Sequence, residues 1–355
     1  MRVSTGVSGD MFERRFVWPD VRTLIERAQR AEDLGFDSLS IVGGAHDPFV
    51  NLAIAAEHTS RIHLLPNVAI AFGRTPMHMA ESAWDVQRIS GGRFILGLGT
   101  QVRSHNERRY SAPWVGPPGP RLREYILCMR AIFETFKNPR APTYYKGEYY
   151  QFTLITPFFN AGPIPHPYVP IYVACLNTYN ARTGGQYGDG LVPHALCTPE
   201  YIKARILPAV EAGAKKSGRQ LSDIDIMAGG LIVTGKDKEE VEEGKWAMRV
   251  HLGFYGSTPT YRPALEFHGW GELADRLHQM SKEGDRRGAW RAMAELIPDD
   301  FLETWAIIGT YEEIVPKIKE RWGGILTATT LPSKMYEDRE QEKRVRNVIE
   351  ELHKT

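Results

Sequence analysis

Cysteine is scarce in this chain, and its placement excludes two broad classes. Cys128, Cys175 and Cys197 are odd in number and widely spaced, which fits neither a disulfide framework nor a zinc ligand set; a reducing cytoplasm is the simplest home. Excess charge of either sign is also missing, since 44 Lys and Arg stand against 43 Asp and Glu for a net charge of +1. No global field therefore draws in nucleic acid or an anionic membrane, and the expected partner is a small molecule. The opening stretch M-R-V-S-T-G-V-S-G-D-M-F-E-R-R-F lacks the long apolar core of a signal peptide, and no later apolar run approaches membrane-spanning length. A soluble protein is the expectation. Absent too are G-x-x-x-x-G-K-[ST], G-x-S-x-G, H-E-x-x-H and a Rossmann G-x-G-x-x-G after the first strand, of which Gly97-Leu98-Gly99 is only a fragment. The histidines are scattered without a paired second ligand, so no metal is expected.

What is present is an alternation of short strand-like and helix-like runs from end to end, the pattern of parallel βα units. A first strand near Val3 precedes a helical stripe from Asp20 to Leu34 that Gly35 stops, and Ser38 to Val42 reads as strand two. Asp47-Pro48 and Thr75-Pro76 are each an N-cap followed by a proline at the first helical position. Strand three lies in R-I-H-L-L-P-N-V-A-I and strand four in F-I-L-G-L-G; P-I-Y-V-A reads as strand five, Gly190 to Pro193 as six, Gly229 to Thr234 as seven and Gly324 to Thr330 as eight. The chain of 355 residues exceeds the roughly 250 of an ordinary (β/α)8 barrel. Two stretches account for the excess: a hairpin turning at Lys146-Gly147 with a proline-rich run after it, at about 138–168, and a mostly helical segment at about 236–300. No composition break demands a second domain, so the expectation is one α/β domain, a TIM barrel with insertions.

Chemistry in such a barrel sits at the C-terminal ends of the strands. In strand four, alternation places Phe94, Leu96 and Leu98 on one face and Ile95, Gly97 and Gly99 on the other. Glycines at alternate positions mark a place where a ligand or another backbone comes very close. After strand two, His46 is either an acid or base near neutral pH or a packed loop histidine, and Asp47 reads as a cap. Arg74, at a helix N-terminus after strand three, suits a phosphate or carboxylate, with a surface arginine as the plainer reading. After strand four, T-Q-V-R-S-H-N-E-R-R-Y crowds Gln101, His105, Glu107 and several arginines into one loop, and Arg121 and Arg123 extend the basic cluster. After strand five, A-C-L-N-T-Y-N-A-R carries Asn177, Thr178, Tyr179 and Asn180 into a helix start rich in donors, which anion binding explains better than capping alone. Cys175 has no sequence-evident base and reads as a small buried residue. His194 follows strand six as a weaker candidate.

Taken together, A-E-D-L-G-F-D-S-L, T-S-R-I-H-L, R-T-P-M-H-M-A, S-G-G-R-F-I-L-G-L-G, Y-G-D-G-L-V and A-I-I-G-T-Y-E-E-I resemble the bacterial luciferase-like superfamily. H-D-P-F, T-P-F-F-N and F-Y-G-S-T-P-T-Y-R-P are similar to its branch of coenzyme F420-dependent oxidoreductases. The resemblance implies a luciferase-like (β/α)8 barrel, often a homodimer, with a deazaflavin or flavin across the mouth. It implies a non-prolyl cis peptide at Asn67-Val68 behind the ring and the cofactor phosphate near Cys175, Leu176, Asn177, Thr178, Tyr179 and Asn180; Arg74, and Gly99, Thr100 and Gln101 at the end of strand four, are the further cofactor contacts expected. Some relatives carry a catalytic carboxylate just after the G-T that ends strand four; Val102 stands there in this chain. The proton donor then falls to His46, His105 or Glu107. Hydride transfer between F420 and a small organic substrate is the first expectation. An FMN-dependent monooxygenase and a flavin-binding protein without turnover are the alternatives.

Overall fold

The computed structural model describes residues 1–7, 19–283 and 286–355. Most of the N-terminal stretch read for a leader, and Gly284 and Asp285 of the second insertion, lie outside the described residues. Parallel strands β1 (Arg2–Val7), β2 (Ser38–Ile41), β3 (His63–Pro66), β4 (Leu96–Gly99), β5 (Ile171–Cys175), β6 (Gly190–Pro193), β7 (Asp225–Ile226) and β8 (Ala328–Thr330) close into a ring. The pairings β8-β1-β2-β3 and β4-β5-β6-β7 are joined by the parallel bridges Leu64 to Phe94 and Met227 to Ala328. The fold is therefore a (β/α)8 barrel. Ala69–Ile70 continues β3 past a break and pairs with Leu98 and Gly99.

Strand seven differs from the sequence expectation. The apolar run Leu231–Gly235 leaves the barrel and pairs in parallel with Ala306–Thr310 in a separate two-stranded sheet. The barrel takes Asp225–Ile226 instead. Hydrophobicity misleads here because this barrel strand contributes a charge to the interior: Asp225 sits 2.6 Å from Arg2 of β1 and accepts the hydroxyl hydrogen of Tyr172 of β5. Helices Lys238–Gly256, Arg262–Phe267, Gly271–Met280, Arg286–Ala294 and Asp299–Trp305 fill the chain between the two outer strands. In the earlier excursion, Tyr145–Lys146 and Gln151–Phe152 form an antiparallel hairpin. Its turn is held by the buried Glu124 carboxylate, which accepts the N–H groups of Glu148 and Tyr149 at 3.1 and 2.8 Å.

Two apolar layers follow from strand alternation. Phe94, Leu96, Leu98, Ile171, Val173 and Leu191 face outward against the helices, while Leu65, Ile95, Tyr172, Met227 and Ala328, with Val192 against them, fill the barrel's lower interior. Helix capping follows the sequence closely. Asp47 accepts Phe49 N–H at 2.9 Å, Thr75 accepts His78 N–H at 3.2 Å, and Thr310 and Glu313 form a reciprocal capping box. Gly35 ends the first helix at φ 94°, a left-handed cap that costs a glycine little. Among the described residues no helix is long and apolar enough to cross a membrane.

The motifs at the N-terminal ends of the strands bind one another. Glu32 accepts the N–H groups of Ser60, Arg61 and Ile62 at 2.9, 2.5 and 2.8 Å. Arg93 donates to the carbonyls of Ala56, Thr59, Ile62 and Ser90 at 2.8 to 2.9 Å. Burial by itself would raise the Glu32 carboxyl, but the three backbone donors prevail and hold it below its usual 4.5. A carboxyl depressed in the folded state stabilises above its unfolded pKa and loses that contribution as pH falls through the folded value. Glu32→Gln is expected to cost about 1.5 kcal/mol at pH 7, measured by urea unfolding, with the gap to the parent closing below pH 4.

Candidate active site at the barrel mouth

Inward-facing positions become small toward the C-terminal end of the barrel. Below lie Leu65, Ile95 and Tyr172; above them, by alternation, come Gly6, Ser40, Gly97, Gly99 and Ala174. The chain itself enters this space at a cis peptide bond between Asn67 and Val68, where the resemblance implied one. A side chain at Gly97 would lie 2.2 Å from the Pro66 carbonyl, and one at Gly99 would lie 2.6 Å from Val68 Cγ2. The glycine face is thus filled by the chain's own bulge, the second of the two occupants that the alternation allowed. Val68 in turn is backed by Gly43, where a Cβ would meet its carbonyl at 2.8 Å.

The loops after β2 and β3 enclose a cavity of about 370 Å³ whose walls include His46, Asp47, Phe49, Ile70, Arg74 and Arg109. Arg74 is paired with Asp47, lies 5.2 Å above the Phe49 ring and donates to Ser82 Oγ at 3.4 Å. Its backbone carbonyl accepts the hydroxyl hydrogen of buried Tyr125 at 3.1 Å. Arg109 donates to the Gly44 carbonyl and covers the Tyr110 ring at 4.9 Å. His46 is exposed at this cavity, whereas His105 and Glu107 lie on the exposed side of helix Arg103–Arg109 and do not line it. Glu107 pairs with Arg103 at 3.0 Å. The three candidate proton donors are therefore not gathered in one place.

The loop after β4 is braced internally. Gln101 adopts φ 57° and its side-chain oxygen accepts Val102 N–H at 2.8 Å. Fully buried Asn106, which sequence reasoning passed over as one polar residue among many, donates to the carbonyls of Thr100 and Val102 at 2.9 and 3.2 Å. Arg121 is also reassigned. It was expected to extend the basic cluster, but it is 9% exposed, stacks 4.1 Å over Phe72, and donates to Tyr150 Oη at 2.8 Å and the Pro113 carbonyl at 2.9 Å. Those contacts tie the loops after β3 and β4 to the hairpin excursion.

After β5 the Cys175 thiol is buried and pushed well up by desolvation, and that of Cys197 is pushed up to about 12, so neither is a thiolate at neutral pH. The Leu176 carbonyl accepts Tyr201 Oη–H at 3.0 Å. Asn177 caps helix Thr178–Tyr187 by accepting Asn180 N–H at 2.8 Å. Asn180 is buried, donating weakly to the Ala174 carbonyl at 3.4 Å, and Tyr179 lies against Gly119, where a Cβ would meet its ring at 2.4 Å. The opening N–H groups of this helix have no intrahelical acceptor and point to the mouth end of β5.

His194 continues the inward row of β6 above Val192, with its ring 4.2 Å from that of Tyr261 and 4.8 Å from that of Tyr255. Burial holds it near pKa 3 and, with His251 near 4 for the same reason, keeps this cluster uncharged at neutral pH. The tyrosines come from the second insertion, which no reading of local spacing could bring here. A larger cavity of about 740 Å³ lies away from the mouth, along the strand Ala306–Thr310. Two of its cations are engaged with backbone, Lys317 with the Ile308 carbonyl at 2.6 Å and Arg321 with that of Glu303 at 3.3 Å. Lys317 covers a carbonyl of the strand and Arg321 the last turn of helix Asp299–Trp305, which explains their presence without a ligand.

Comparison with known proteins places this architecture. The family model for luciferase-like monooxygenases matches residues 2–327. An uncharacterised protein of Mycobacterium tuberculosis is 38% identical over 85% of this chain and 87% of its own length. The F420-dependent glucose-6-phosphate dehydrogenase of Intrasporangium calvum is 32% identical over 58% of this chain and 64% of its own. Among solved structures, the coenzyme F420-dependent tetrahydromethanopterin reductase of Methanopyrus kandleri superposes with a TM-score of 0.77 at 22% identity, covering 99% of this chain and 98% of that one.

Because the Pro66 carbonyl belongs to the backbone, it cannot swing aside for a side chain at Gly97. Gly97→Ala is expected to destabilise the protein by about 2–3 kcal/mol, read from the midpoint of urea unfolding.

Proposed function

Since this chain belongs to the luciferase-like monooxygenase family, we propose that it is an oxidoreductase that seats coenzyme F420 across the barrel mouth and exchanges a hydride with a small organic substrate. The observation that carries the reading is the tapering interior, in which the inward positions around Val68 are small at the end of the barrel where barrel enzymes keep their sites. The donor set fits the cofactor's anionic end. Asn177 would orient the start of helix Thr178–Tyr187, the first backbone N–H groups and the Thr178 hydroxyl would receive a phosphate, and Asn180 would pack beneath them. When bound, a deazaflavin supplies or accepts the hydride at a ring carbon and does not readily activate oxygen. Val68, backed by Gly97 and Gly99, would support the ring from behind. His46, the candidate donor on the cavity wall, would deliver or take the accompanying proton, with the position after β4 occupied by Val102.

The FMN reading shares the same seat and is separated by titration. Purified protein is expected to bind F420, followed by the change in its fluorescence, more tightly than FMN. Tight FMN binding without an F420 response would replace this cofactor, and binding of neither would remove the enzyme reading. Asn177→Ala, which releases the cap that orients this helix start, is expected to weaken F420 binding about tenfold.

The assembly we propose is a homodimer. Phe158 and Leu154 of the first excursion are 89% and 78% exposed, and Phe159, Tyr144 and Tyr168 are exposed as well. From Tyr149 to Ala181 no Asp, Glu, Lys or Arg occurs. Exposed aromatics on a segment without charged side chains suit the centre of an interface between two copies. Phe158→Glu with Phe159→Glu is expected to shift the sedimenting species from dimer to monomer.

A further inference from the structure

The cavity between the loops after β2 and β3 is chemically distinct from the phosphate end of the mouth. It lies at β2 and β3, with β4 between it and the helix start that follows β5. Its walls are apolar at Pro48, Phe49, Ala69 and Ile70, and glycine at 43, 44 and 73 leaves backbone uncovered. Two guanidinium groups stand on it, and they are not equivalent. Arg74 is neutralised by Asp47 and further held by Ser82 and the Phe49 ring. Arg109 rests on a neutral acceptor, the Gly44 carbonyl, and on the Tyr110 ring; among the described residues no carboxylate pairs with it.

We propose that this cavity is the substrate site and that it receives a small organic carboxylate with an apolar body, its anionic group taken by Arg109 in exchange for the Gly44 carbonyl. The argument rests on the preceding reading, which puts the cofactor's phosphate at Thr178 and leaves this space to the substrate. A charge-assisted bond is about twice as strong as one to a neutral carbonyl, so the exchange favours the ligand. The planar fork of a guanidinium matches a carboxylate in two parallel bonds. A dianion is disfavoured because Asp47 sits on the same wall. The volume of about 370 Å³ lies near the lower end of small-molecule sites and keeps the body small.

The test uses cyclohexanecarboxylate and cyclohexanecarboxamide, which share a body and differ in charge, titrated calorimetrically into the full-length protein with and without bound cofactor. The carboxylate is expected to bind at least tenfold more tightly than the amide. Arg109→Gln should erase that preference while leaving F420 affinity and the thermal midpoint unchanged, and Arg109→Lys should retain part of it. Equal affinities, a preference that survives in Arg109→Gln, or displacement of the carboxylate by equimolar inorganic phosphate would each overturn the proposal. If neither F420 nor FMN binds but the Arg109-dependent preference persists, the cofactor reading falls and the carboxylate site stands. If a cofactor binds and the preference is absent, the carboxylate site falls alone.

Discussion

The Pro66 carbonyl and the Val68 side chain occupy the space that Gly97 and Gly99 leave empty, and the architecture of the mouth depends on that contact. A barrel of eight strands has room for side chains in its interior but not for a second backbone. The second backbone is admitted here only where strand four carries no Cβ. The break after β3 then sends Ala69–Ile70 back to pair with Leu98 and Gly99, so the loop holding Arg74 leaves the barrel at a set height and direction. Tyr125 receives that loop from outside by donating to the carbonyls of Arg74 and Thr75, and Arg121 holds Phe72 and Pro113 beside it. The cavity lined by Ile70, Gly73 and Arg74 is a consequence of where this loop runs.

The two ends of the barrel do different work with similar residue types. At the N-terminal end, Glu32 and Arg93 engage backbone groups at helix ends and strand starts, and Arg2, Asp225 and Tyr172 close the interior with a paired charge. Glu32 and Arg93 there each meet several partners. At the C-terminal end, Arg109 rests on the Gly44 carbonyl and the Tyr110 ring, with no carboxylate partner among the described residues. A cation left without a carboxylate at one end of a well-braced barrel is what a stable scaffold with a site at that end provides.

Much of this was legible from the chain because it rests on local rules. The caps at Asp47 and Thr75, the box at Thr310 and Glu313, and the stop at Gly35 are short-range devices, and each forms where its residues stand. The inward and outward faces of strand four follow from a period of two. Where local rules competed with long-range pairing they failed: Leu231–Gly235 has the better strand composition, yet Asp225–Ile226 takes the barrel position, where Asp225 meets Arg2 and Tyr172. Arg121 was legible as a cation but not as a brace, since Phe72 and Tyr150 lie far from it along the chain.

By itself the sequence determined the number of βα units, their caps, the bare face of strand four and the residue types that gather after each strand, all properties set within a turn or a few residues. Tertiary structure alone decided what fills the bare face, which of the arginines is neutralised, and that His194 meets Tyr255 and Tyr261 while His105 and Glu107 stay outside the cavity. Those outcomes depend on side chains from different βα units meeting in space. Only closure of the barrel brings them within reach, and no local spacing encodes that distance.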